Sequence, residues 1–235
     1  MTDFVLVHGA YHGGWCWRDL RPLLEAAGHR VFTPTLTGLG ERQHLAGPTV
    51  DLETHVEDLV ALYRFEDLRD SVLVGHSYGG MVVGGFADRQ PHPVGALIYL
   101  DALVPRDGAC VLDFQLPERR ESFEAARRAF DGWRLPPPPV AFYGVHEPEA
   151  AAWAQARCVP QPWATFTRPL RLTGGAASIA RKAYIRCEET ELDYMEQFVA
   201  LAEADEAWDL HRLQTGHDAM ISDPEALARL LLAYA

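Results

Sequence analysis

Cysteine is scarce and scattered. The four in 235 residues, Cys16, Cys110, Cys158 and Cys187, show none of the close pairing of a zinc site, and a chain of this length needs no disulfide staples. They read as reduced thiols. Basic charge is also short: 21 Lys and Arg stand against 33 Asp and Glu, a formal net charge of −12. Polyanionic nucleic acid and anionic membrane surfaces are therefore repelled over most of the molecule. No apolar run approaches the ~20 residues of a membrane helix, and Met1 to Val7 has neither the charged start nor the cleavage site of a signal peptide. The expectation is a cytoplasmic protein without nucleic-acid or membrane partners. There is no internal repeat. His8 and His12 have a helical ligand spacing, but Gly9, Gly13 and Gly14 make this stretch a loop, so no metal site is expected. What remains, 48% hydrophobic and 23% charged residues, is the profile of one globular domain with a full core.

Short apolar runs that stop at glycine or polar residues mark buried strands: Phe4 to His8, Arg30 to Thr33, Ser71 to Gly75, Ala96 to Leu100 and Lys182 to Arg186, with a less apolar sixth at Trp208 to Leu213. Helix-period stretches lie between them, at Trp17 to Ala27 ending on Gly28, at Leu52 to Phe65, from near Ser77 to Arg89, and after Asp223-Pro224, an N-cap followed by proline. This alternation predicts a mostly parallel α/β sheet of about six strands with helices on both faces. One region interrupts it. From 102 to 180 there is no convincing buried strand, only two charged helical stretches, Pro117 to Phe130 and Glu147 to Arg157, on either side of Pro136-Pro137-Pro138-Pro139. The expected organisation is a core of residues 1–101 and 181–235 with a lid inserted over the C-terminal strand ends, where open α/β sheets bind ligands.

Gly75-His76-Ser77-Tyr78-Gly79-Gly80 is a G-x-S-x-G between a predicted strand and a predicted helix, the context of a nucleophile elbow. A serine hydroxyl needs a base to take its proton. His217, after the last predicted strand in Thr215-Gly216-His217-Asp218, is placed to be that base. The developing oxyanion needs two backbone N–H groups. Tyr78 follows the nucleophile and offers one, and the glycine-rich loop His8 to Gly14 offers the other through Ala10.

These motifs, with Val7-His8-Gly9-Ala10-Tyr11-His12-Gly13-Gly14-Trp15 and Gly216-His217-Asp218-Ala219-Met220, resemble the α/β-hydrolase superfamily. The resemblance is to its small-lid group of plant methyl-salicylate-type esterases, hydroxynitrile lyases and bacterial esterases. It implies the α/β-hydrolase fold, Ser77 as nucleophile, His217 as base, Ala10 and Tyr78 as oxyanion donors, and no cofactor. The lyases of that group carry a threonine at the place of Gly9 and a lysine at the place of Asp218. An aspartate there disfavours cyanide release.

The triad acid departs from the plant pattern, because Thr190 stands at the aligned aspartate position. Glu188, Glu189, Glu191 and Asp193 are nearby. Asp101, at the end of the strand after the nucleophile strand, is the preferred acid, a placement that resembles the haloalkane dehalogenases, and Glu189 is second. Gly9, Tyr11, Trp15 and His76 are expected to bind substrate. Aromatic side chains in the insertion favour a small or medium apolar or aromatic ester, or a lactone, cleaved through an acyl-enzyme. The same scaffold also serves cyclases, lyases and C–C hydrolases of natural-product metabolism, and silent ligand binders. Oligomeric state is not encoded legibly, and a homodimer is compatible with the sequence.

Overall fold

The computed structural model describes residues 1–90, 94–190 and 192–235. Its elements run β1 (Asp3–Val7), α1 (Arg21–Ala26), β2 (Arg30–Phe32), α2 (Leu52–Phe65), β3 (Ser71–His76), α3 (Gly79–Arg89), β4 (Val94–Leu100), α4 (Pro117–Phe130), β5 (Arg134–Leu135), α5 (Pro148–Gln155), β6 (Gln161–Pro162), α6 (Ala164–Thr167), β7 (Arg181–Cys187), α7 (Glu196–Glu203), β8 (Trp208–Leu213), α8 (Ala219–Ser222) and α9 (Pro224–Leu232). Six strands form one sheet in the order β2-β1-β3-β4-β7-β8. Every pairing in it is parallel. The inner strands β1, β3 and β4 are buried on both faces, which explains why their sequences are near-continuous apolar runs, while the edge strand β8 is only partly buried and mixed in sequence. Among the described residues no helix is long and apolar enough to cross a membrane.

The two faces of the sheet carry separate cores. On one, Val5, Leu73, Leu97 and Tyr184 meet Leu59 of α2, Phe86 of α3 and Phe198 of α7. On the other, Leu6, Val74, Ile98 and Ile185 meet Leu24 of α1 and Leu227 and Leu231 of α9. Helix ends follow the sequence. Asp51 caps α2 by accepting from the Thr54 amide at 3.0 Å, and Asp223 caps α9 by accepting from that of Ala226 at 3.0 Å. The helix expected from Trp17 divides into a 3-10 turn at Gly14–Trp17 and a short α1. Pro22 in its first turn lacks the N–H that would bond backwards, so α1 starts there instead of continuing from the 3-10 turn.

Residues 102–180 leave the sheet after β4 and return to its neighbour β7. They hold α4, α5, α6 and an antiparallel β5–β6 pair only two residues long per strand, too short to show a period in sequence. The insertion is tied to the core by Asp88 of α3, which accepts from the amides of Thr173 at 2.6 Å and Gly174 at 2.8 Å.

Candidate active site

Ser77 stands where β3 passes into α3, with φ of 52°. A residue with a side chain holds this left-handed conformation only when its surroundings impose it. Here the Ser77 amide donates to the Leu100 carbonyl at 3.2 Å, while its carbonyl accepts from Gly80 and Leu103, each at 3.1 Å. A Cβ on Gly79 would lie 2.7 Å from the carbonyl oxygens of Val7 and His8, so only glycine lets α3 begin against the end of β1. Tyr78 is fixed by its hydroxyl, which donates to His55 Nδ1 at 2.8 Å, and His55 Nε2–H donates to the Thr37 carbonyl at 2.8 Å.

The loop after β1 is equally constrained. Tyr11 has φ of 68°, its amide donates to Gln161 Oε1 at 3.0 Å, and its carbonyl accepts from Val159 at 2.9 Å. The insertion therefore holds the stretch that carries Ala10. Among the described residues the amides of Ala10 and Tyr78 are not used in the backbone hydrogen bonds of loops and turns.

His217 Nδ1 lies 2.6 Å from Asp101 Oδ2. Asp101 is fully buried, with φ of 41°. Its other oxygen accepts from Arg186 at 2.8 Å and from the Cys187 amide at 3.3 Å. Arg186 also reaches Glu196 at 2.8 Å. Burial alone would lower the Arg186 guanidinium, but the Asp101 charge outweighs it and holds Arg186 above its ordinary value. The buried carboxylate is thus both paired and hydrogen-bonded, as desolvation requires. In the 188–193 loop, Glu188 pairs with Arg212 at 3.0 Å, Glu189 and Asp193 are exposed, and Glu191 lies outside the described residues. Thr190 accepts locally from the Leu192 amide at 3.3 Å.

Ser77, Tyr78, Ala10 and His217 share the wall of a cavity of about 380 Å³ with Tyr11 and, from the insertion and its surroundings, Leu103, Leu135, Phe142, Tyr143 and Phe166. Its lining is mainly apolar and aromatic. Three residues expected to bind substrate are not on that wall. Gly9 lies against Ser77, where a Cβ would fall 2.8 Å from His76 Nδ1 and 3.0 Å from Ser77 Cβ. His76 is buried beneath the base loop and donates from Nε2 to the His217 carbonyl at 3.0 Å. Burial, reinforced by His217, pushes its imidazole well below the ordinary value, so it is neutral there. Trp15 stacks on His12 with ring centroids 5.1 Å apart.

His76, His217 and Asp218 each bring a ligand-type atom within 4.8 Å of the others. This grouping follows from the packing around the base, and a cation there would compete with the hydrogen bond His76 makes to the His217 carbonyl. Three features went unread in the sequence: Arg186, Gln161, and the contact between the insertion and the base loop. A Cβ on Gly144 would lie 2.5 Å from the Gly216 Cα, and the Asp218 amide donates to the Tyr143 carbonyl at 3.1 Å. Arg186 had one legible signal, a charge closing an otherwise apolar strand.

Residues 4–230 match the model of the alpha/beta hydrolase family. A carbendazim hydrolyzing esterase from Nocardioides sp. (strain SG-4G) is 41% identical over 241 residues, covering 99% of each chain. An alpha-hydroxynitrile lyase from Arabidopsis thaliana is 42% identical over 106 residues, 43% of this chain and 40% of the lyase. Among solved structures, an extracellular alpha/beta-hydrolase from a Paenibacillus species superposes with a TM-score of 0.88 at 22% identity, covering 100% of this chain and 99% of that one.

Proposed function

The chain belongs to the alpha/beta hydrolase family, and from that membership we propose that it is a serine esterase acting on small or medium apolar or aromatic carboxylic esters or lactones. The observation that carries this reading is the strained Ser77 on one cavity wall with His217, whose far nitrogen rests 2.6 Å from the buried Asp101. In this reading His217 takes the Ser77 proton as Oγ attacks the ester carbonyl, and the oxyanion forms against the amides of Ala10 and Tyr78. His217 then returns the proton to the departing alcohol. Water, deprotonated by the same imidazole, releases the acid. Asp101 holds the tautomer of His217 and stabilises its charged form. Residues 102–180 serve as the lid, supplying most of the apolar lining.

The relative at 41% identity is named for hydrolysing carbendazim, which makes carbendazim the first substrate to test, beside aryl and alkyl esters. Cyanohydrin cleavage is disfavoured by Asp218, which is fully buried beside His217. Burial works against its charge, but His12 prevails and keeps the carboxyl below its ordinary value; an acid already paired with His12 supplies no cation where cyanide release calls for one. Mass spectrometry after fluorophosphonate treatment tests nucleophile activation without a chosen substrate. Labelling confined to Ser77, and lost in Ser77→Ala and His217→Ala, is the expected result. A folded native chain that takes no label would overturn the esterase reading in favour of a ligand binder.

A further inference from the structure

His12 is buried, and both of its ring nitrogens face hydrogen-bond acceptors. Nδ1 lies 2.7 Å from the carbonyl oxygen of Ala10, and Nε2 lies 3.1 Å from Asp218 Oδ2. A carbonyl oxygen cannot donate, so Nδ1 carries a proton. Burial raises Asp218, but His12 prevails and holds its carboxyl below the ordinary value, and an ionised carboxylate cannot donate, so Nε2 carries a proton as well. The two distances fit an imidazolium paired with a carboxylate, 1% and 0% exposed respectively.

The surroundings fit a charge at this place. The indole of Trp15 stacks on the His12 ring at 19° between planes, the face a cation prefers. Burial would lower His12, but Asp218 outweighs it and raises the imidazole above its ordinary value. The other titratable groups facing the pair are held neutral by burial: His8 and His76 are lowered, and Tyr143, Cys16 and Cys158 are raised. His217 adjoins Asp218 along the chain. Asp218 is thus the counter-ion of His12, and 206 residues of sequence separate them.

The pair joins the two loops that the chemistry needs in register. His12 grips the carbonyl of Ala10, the residue whose amide faces the oxyanion, and Asp218 is the next residue after the base. Resting on the esterase reading, we propose that His12 and Asp218 form a buried ion pair that acts as a positioning device, locking the Ala10 amide at a fixed distance from His217. Neither residue lines the cavity, and neither transfers a proton. Their contribution is geometric, because an oxyanion donor displaced by a fraction of an ångström loses much of its effect.

Two measurements test this. In native protein carrying ¹⁵N-labelled histidine, one imidazole should keep protons on both nitrogens at about pH 7.5, a unit above the ordinary value. That signal should vanish in His12→Gln and lose one proton in Asp218→Asn. A native His12 with a single ring proton overturns the proposal, and this measurement needs no substrate. In the second, Asp218→Asn should label with fluorophosphonate and turn over ester about 10- to 100-fold more slowly, with KM within about twofold, the pattern of a displaced transition-state contact. A purely structural role would instead lower the melting temperature and leave the labelling rate of the folded fraction unchanged, which also overturns it. If the native chain takes no label while the doubly protonated imidazole is present, the esterase reading fails and the positioning role falls with it. The imidazole signal tells that failure apart from failure of the ion pair.

Discussion

Asp101 and Arg186 form a pair whose members answer to different assays. Asp101→Asn keeps the shape of the site but leaves His217 without its anion. Turnover should fall on the order of 10³-fold or more, with a smaller loss of melting temperature than at Arg186 because the guanidinium keeps Glu196 as a partner; steady-state kinetics beside calorimetry would check both. Arg186→Met removes the cation from a buried carboxylate. Uncompensated charge of this kind costs about 3–5 kcal/mol, so a urea titration should show a large loss of stability even where residual activity persists. Gly9→Ala should act in a third way, because its methyl would meet His76 and Ser77 at 2.8 and 3.0 Å; kcat should drop with KM nearly constant. The sequence makes some of these residues legible and hides others for a physical reason. Ser77, Tyr78 and His217 announce themselves because their motifs are local, and Asp101 because a carboxylate closing a buried strand demands a partner. Asp218 with His12, and Gln161 with Tyr11, are pairings over 206 and 150 residues, which no local pattern encodes.

Elements are most legible in the sequence where they are buried on both sides. β1, β3, β4 and α2 fall where apolar runs and periodicity place them, since burial dictates composition there, whereas the edge strands β2 and β8 are only partly buried. Short amphipathic pieces were harder: α7 offers only two turns, with Phe198, Val199 and Ala202 inward, and β5–β6 offers no repeat at all. The junction between α3 and the insertion carries a pH-dependent contribution. Burial raises Asp88, but its hydrogen bonds from Thr173 and Gly174 prevail and hold it below its ordinary value of 3.8. A depressed carboxyl stabilises the fold fully above that ordinary value and loses the contribution as pH falls through the folded value. Asp88→Asn should therefore be less stable than the native chain near neutrality, with the gap in urea midpoint closing below about pH 4. A gap that is constant with pH would assign the effect to shape rather than charge.

For the molecule as a whole, the cover over the cavity is unevenly anchored. Helix α4 has no fully buried residue, whereas the turn at 140–144 is packed against the base loop. Hydrogen exchange should reflect this, with amides of α4 exchanging well before those of the turn or of β3 and β4. Uniform protection across 102–180 would contradict it. The contact of Gly144 with Gly216 then has a consequence for how this protein could be re-tuned. At that point two backbones touch with no side chain between them, so neither strand of the contact can be edited without disturbing the other. The Tyr143 turn belongs mechanically to the loop that carries His217, although the chain reaches it through the insertion. Chimeras that exchange α4 with that of a relative should fold and shift substrate preference, whereas chimeras whose crossover replaces the turn should lose the alignment of His217. The natural splice point for new specificity thus lies inside the cover, between α4 and the proline run, rather than at the borders where the cover leaves the sheet.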